Sequence, residues 1–161
     1  PELAPSICFQ FASVGMPIAA VFGGLVSGNM SDAVFGSRRA PVICLAFIGM
    51  AGSLAIFSIV NGGAFFAAWM LILTSFFIQS AHSLVGGAAS MDFGGKKAVA
   101  TAAGLFDGAQ YVAGAAVALT LGHVLDKYGW SAWGMTAIPP AILGAILISR
   151  LWNTKPGTSA H

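Results

Sequence analysis

The stretch TAAGLFDGAQYVAGAAVALTLG, residues 101–122, is apolar enough to lie in lipid, yet Asp107 stands inside it. A carboxylate near the centre of a bilayer is costly, so it calls for a reason. Whether the stretch is a membrane span decides the fold, and the rest of the chain answers. Hydrophobic residues make up 57% of the 161 residues and charged residues 7%, against roughly 25% charged in a soluble domain. A chain so poor in charge lacks the polar surface to cover itself in water. Residues 3–31, 40–91 and 128–149 carry no charge at all, and a spanning helix needs about 20 predominantly apolar residues.

The expected fold is therefore an all-α membrane protein with about five transmembrane helices, over residues 6–30, 41–60, 64–90, 98–122 and 131–152. The long central run accommodates two passes, with NGG at residues 61–63 as the turn between them. The runs are far longer than strands and lack the polar–apolar alternation of a barrel. Close helix packing is expected at the G-x-x-x-G pairs Gly24–Gly28 and Gly104–Gly108.

The connections alternate in charge. Arg38 and Arg39 lie in the first, Lys96 and Lys97 in the third, and Arg150 and Lys155 in the tail, while Lys127 alone lies on the other side. Cytoplasmic loops carry the excess of Lys and Arg. The N-terminus should then be outside and the C-terminus cytoplasmic, in a multi-pass protein of the bacterial inner membrane. Trp130 and Trp133 suit the outer interfacial belt. Nothing at the start reads as a signal peptide. An apolar first helix entering from outside implies an odd number of helices ahead of it, so a missing N-terminal transmembrane half is the expected partner, along with the lipid bilayer.

Several functions are excluded or left without support. Cys8 and Cys44 have no metal-ligand spacing, and small core residues are the simpler reading. There is no Ser/His/Asp spacing, H-E-x-x-H, P-loop or Cys cluster, so no enzyme, metal or cofactor is expected. A net charge of +2 does not suggest nucleic acid.

The polar residues inside the spans carry the functional reading. Asp107 lies nine residues beyond Ala98, about 14 Å deep at the helical rise and close to the midplane. Gln110 and Tyr111 follow on the same face. His82 lies eight residues before Ser90, about 12 Å deep, with Gln79 on its face. Asp107, Gln110, Gln79 and His82 are thus expected at similar depth on two antiparallel helices, with Tyr111 on the face of Asp107, where packing is the simpler reading. They are candidates to line an aqueous path and to bind substrate or a coupling proton. A structural role remains the other reading: Asp107 held protonated, or hydrogen-bonded to His82 or Gln110.

GNMSDAVFGSRRAP, residues 28–41, resembles the loop signature of major facilitator superfamily transporters, through Gly28, Asp32, Gly36, Arg38 and Arg39. The alternative is that these charges only set topology. Asp32, at a helix end, suits an arginine or a neighbouring helix N-terminus as partner. Residues 92–133 resemble the eleventh-helix region of the organophosphate:phosphate antiporter branch of that superfamily: Asp92, the Lys96–Lys97 pair, TAAG at 101–104, Tyr111, Gly114, Gly122, Asp126 and Gly129–Trp130. The resemblance covers essentially the whole chain. It implies helices eight to twelve of a twelve-helix fold, with the first, third and fourth helices here lining the cavity. It further implies alternating access, with a phosphorylated metabolite exchanged for inorganic phosphate. In that branch arginines on the first and seventh helices grip phosphate, and neither helix corresponds to one in this chain. Asp107 and Gln110 stand where better-known transporters of the branch have small residues. Two alternatives go with this: a proton-coupled metabolite or drug transporter working through Asp107, and a non-transporting organophosphate sensor of the same fold.

Overall fold

A computed structural model describes residues 3–60, 62–129 and 132–155, so Asn61, Trp130 and Ser131 lie outside the described residues. The chain forms α1 (Leu3–Ala33), α2 (Arg39–Ile59), α3 (Gly63–His82), a π-helical segment (Ser83–Ala89), α4 (Ser90–Tyr128) and α5 (Ala132–Ser149). All five expected helices are present and long and apolar enough to cross a membrane. Large apolar side chains such as Phe9, Val21, Leu105, Val112 and Leu119 face outward, as lipid-exposed surfaces require.

Small side chains and hydroxyls make the helix seams. Against α3, α1 brings Gly23, whose missing Cβ lets its backbone meet the Phe76 carbonyl. Ser80 Oγ donates to the Gly23 carbonyl at 3.0 Å, Ser75 Oγ to that of Met16 at 3.1 Å, and Ser27 and Ser83 share a hydrogen bond at 3.2 Å. Between α2 and α3, Ser53 and Thr74 are buried and bonded at 3.0 Å. In lipid no hydrophobic force draws helices together, so close backbone approach and such bonds do that work. Of the G-x-x-x-G glycines, Gly24 lies against Ser83, whereas Gly28, Gly104 and Gly108 face open space. The closest approach falls on Gly23 instead, because the residue that matters is the one aimed at a neighbouring carbonyl. α5 packs on α2, with Trp133 edge-on to Phe57.

The third connection differs from expectation. Residues 92–97 were expected to form a loop between spans ending at 90 and starting at 98. Instead, residues from Ser90 to Tyr128 are helical, with no extended loop between the two spans. Yet α4 is no straight rod. A Cβ on Gly94 would lie 2.8 Å from the Cα of Val99, whereas residues five apart in a straight helix are separated by about 7.5 Å of rise. The chain reverses here, where Gly94 has no Cβ to obstruct it, and α4 returns past the π-helical segment, with Asp107 beside Gly86 and Gln110 beside His82. α4 ends at Tyr128, beyond the expected 122. Gly129, in left-handed backbone (φ 76), closes it with an N–H bond to the Leu125 carbonyl at 2.8 Å. The expected third span is also not α-helical throughout: Ser83–Ala89 is π-helical. It contains Gly86 and Gly87, and the Ser90 hydroxyl donates to both their carbonyls.

Candidate functional site: a polar patch between two apolar helices

Along α4 the face that turns toward α3 and the π-helical segment carries the polar residues. His82 is the last residue of α3, and its Nδ1 donates to Gln110 Oε1 of α4 at 3.0 Å. Whichever way the amide is turned, the bond uses one ring nitrogen and one amide group and leaves the other ring nitrogen and the other amide group to further partners. Both residues are exposed. They border a cavity of about 380 Å³ whose other walls are apolar, including Phe47, Met50, Phe77 and Val85.

Asp107 lies three residues before Gln110 and is half-buried. A Cβ on Gly86 would sit 3.5 Å from its Oδ1 and 4.0 Å from His82 Cε1. Gly86 thus lies under both side chains, and the π-helical turn carries it there. Among the described residues Asp107 Oδ1 is the one buried side-chain oxygen or nitrogen with no hydrogen-bond partner. Single π turns inside α-helices often accompany functional sites. Gln79 is half-buried one turn before His82, and Tyr111 is 80% exposed beside Gln110. The structure therefore joins His82 to Gln110 and sets Asp107 beside them. Tyr111 points into the open.

The second group lies where α1, α2 and α4 begin or end. Gly36 (φ 57) and Ser37 (φ 62) turn the chain through left-handed backbone. This region suits glycine, whereas a serine there must be held. Ser37 is held by its N–H on the Ser31 carbonyl at 2.8 Å and its hydroxyl on Asp32 at 3.0 Å. The turn presents Arg39, whose Nη1 meets Asp32 Oδ1 at 2.6 Å and Ser31 Oγ at 3.1 Å. Arg39 Nε meets Asp92 Oδ2 at 3.0 Å. One guanidinium thus ties α1, α2 and the start of α4 together. Arg38 turns its Nε to the Phe35 carbonyl at 3.0 Å. Gly28 has open space about it. A cavity of about 280 Å³ adjoins the arginine junction, bordered by Arg39, Asp92, Ile43, Phe106, Leu151 and Lys155.

The Arg39–Asp92 pair and the place of Gly86 escaped the sequence reading. The first joins residues 53 apart, with no spacing rule to connect them. The second rests on a π turn, for which the only sequence signal is the Gly86–Gly87 pair.

No protein-family model and no solved structure matches the chain. Curated proteins do. The glycerol-3-phosphate transporter of Bacillus subtilis is 28% identical over 147 residues, covering 91% of this chain and 32% of that protein. Sugar phosphate exchanger 3 of Homo sapiens is 28% identical over 92% of this chain and 32% of its own length. A probable hexose phosphate transport protein of Chlamydia trachomatis is 26% identical over 93% of this chain and 32% of its own length. The chain spans about a third of the length of these relatives. Over about nine-tenths of its residues, the chain is similar to transporters of glycerol phosphate and sugar phosphates, which bears out its resemblance to the organophosphate antiporters.

Proposed function

We propose that the chain is the C-terminal part of a secondary transporter that exchanges a phosphorylated metabolite for inorganic phosphate by alternating access. The observation that carries this reading is the His82–Gln110 pair beside Asp107, set in apolar helices of a chain whose relatives carry phosphorylated solutes. Its five helices stand for the eighth to twelfth of twelve. The six-to-one split of basic residues supports an N-terminus outside and a C-terminus in the cytoplasm of a bacterial inner membrane. The phosphate itself is held by cations supplied outside this chain. The junction of Arg39 with Asp32 and Asp92 latches the cytoplasmic ends and must open for the path to open there.

The unpartnered Asp107 Oδ1 favours a second reading, transport driven by a proton carried on that carboxyl. One experiment separates the two. The protein encoded by the whole gene is reconstituted in vesicles loaded with inorganic phosphate, and entry of labelled glycerol-3-phosphate is followed with and without a pH gradient. Exchange predicts entry that needs internal phosphate and survives in Asp107→Asn within a few-fold. Entry that follows the pH gradient without internal phosphate and disappears in Asp107→Asn establishes the proton reading instead. Absence of entry in either regime contradicts both.

A further inference from the structure

The hydrogen bond between His82 and Gln110 uses one group from each and leaves two others free. With the ring neutral, His82 Nε2 keeps a lone pair and the Gln110 amide nitrogen keeps two hydrogens; with the amide turned over the two roles exchange, and one donor and one acceptor still remain. Both residues line the adjoining cavity of about 380 Å³, so the pair is the polar element that a ligand entering between its apolar walls can use. A hydroxyl both donates and accepts, so it satisfies the pair. A phosphate dianion offers acceptors alone and satisfies only the donor.

Charge points the same way. Asp107 lies on the same face three residues away, and like charges repel more strongly where the dielectric is low. The cationic side chains described, Arg38, Arg39, Lys127, Arg150 and Lys155, all lie at or beyond helix ends. Among the described residues no Lys or Arg at this depth draws a phosphoryl group, and an ionised Asp107 repels it.

We propose that His82 and Gln110 form the subsite for the hydroxyl-bearing end of the substrate, with its phosphate directed away from α4 and Asp107. The ligand class is a polyol phosphate ester. This inference rests on the exchange reading above and assigns the end of the substrate that this chain reads.

The test compares three solutes in phosphate-loaded vesicles containing the full gene product: inorganic phosphate, glycerol-3-phosphate, and propyl phosphate, which keeps the carbon count without the hydroxyls. The unmodified protein is expected to favour glycerol-3-phosphate over propyl phosphate by about tenfold or more in KM, the size of a few satisfied hydrogen bonds. Gln110→Leu is expected to reduce that preference to about twofold, weakening glycerol-3-phosphate several-fold more than phosphate. His82→Phe keeps a ring of similar size without polar atoms and is expected to do the same. Retained phosphate self-exchange shows that each variant is folded. An unchanged preference in both variants overturns the assignment. So does an equal weakening of phosphate and glycerol-3-phosphate, which marks a structural pair. If the unmodified protein shows no phosphate self-exchange, the exchange reading has failed and this assignment falls with it, and that control alone identifies the case.

Discussion

Gly23→Val is expected to destabilise the helix bundle by about 1–3 kcal/mol or more, the range for overpacking a closed interface. Gly23 is buried, and any Cβ there runs into the Phe76 carbonyl, with Ser80 Oγ 3.1 Å away. The obstruction is backbone, so no rotamer change relieves it. α1 must withdraw from α3. That withdrawal loosens the 3.0 Å bond from Ser80 to the Gly23 carbonyl and the 3.2 Å bond between Ser27 and Ser83. At about 2–4 °C per kcal/mol for a chain of this size, the midpoint of thermal unfolding in detergent should fall by several degrees. Gly52→Ala is the control. Gly52 is exposed, with nothing within 4 Å of the added Cβ, and its midpoint should move by no more than a degree or two. Equal effects at the two sites would mean that α1 and α3 do not meet along Gly23.

The second large effect is at the arginine junction. Arg39→Ala leaves Asp32 without its 2.6 Å partner and Asp92 without its 3.0 Å partner. The side chains of Arg39 and Asp92 are 17% and 18% exposed, so water compensates Asp92 only in part. Asp32, 59% exposed, contributes less, as exposed pairs do. A loss of about 1–3 kcal/mol is expected, most of it from the Asp92 side. Arg39→Lys should recover little, because one ammonium cannot place separate nitrogens on two carboxylates and the Ser31 hydroxyl. Under the transport reading, the same loss biases the protein toward its cytoplasm-open state. The check is limited proteolysis at the cytoplasmic loops, which should quicken in Arg39→Ala and Arg39→Lys alike. Full rescue by lysine would show that the junction acts only as a positive charge.

Much of this was legible in the sequence, for identifiable reasons. Span number follows from charge-free runs, because lipid penalises every stray charge alike and needs no partner to be known. Depth follows from the constant helical rise, which is why residue counting put His82 and Gln110 at one level, where a 3.0 Å bond joins them. The hidden parts depend on rotation and on partners distant in sequence. Gly23 and Gly24 are adjacent in the chain, yet Gly23 takes the close contact, because helix rotation set by packing decides which one faces Phe76. The charges around residues 92–97 suggested a loop. The backbone is nonetheless helical on both sides of the reversal, since hydropathy registers that the chain leaves the core but not the backbone it leaves by. Asp92 belongs to a motif legible in the sequence, but its partner Arg39 lies 53 residues earlier.

The most direct test asks whether the patch at Gln110 faces the substrate path. Gln110→Cys in the full gene product, with Cys8 and Cys44 replaced by serine, is treated with a membrane-impermeant thiol reagent. Val112→Cys, on the opposite face of α4 and 74% exposed here, is treated in parallel. The account predicts modification of Gln110→Cys that slows in the presence of glycerol-3-phosphate and not in that of an uncharged sugar, with no such protection at Val112→Cys. Unreactive Gln110→Cys, or modification indifferent to glycerol-3-phosphate, would contradict a solute path along this face of α4.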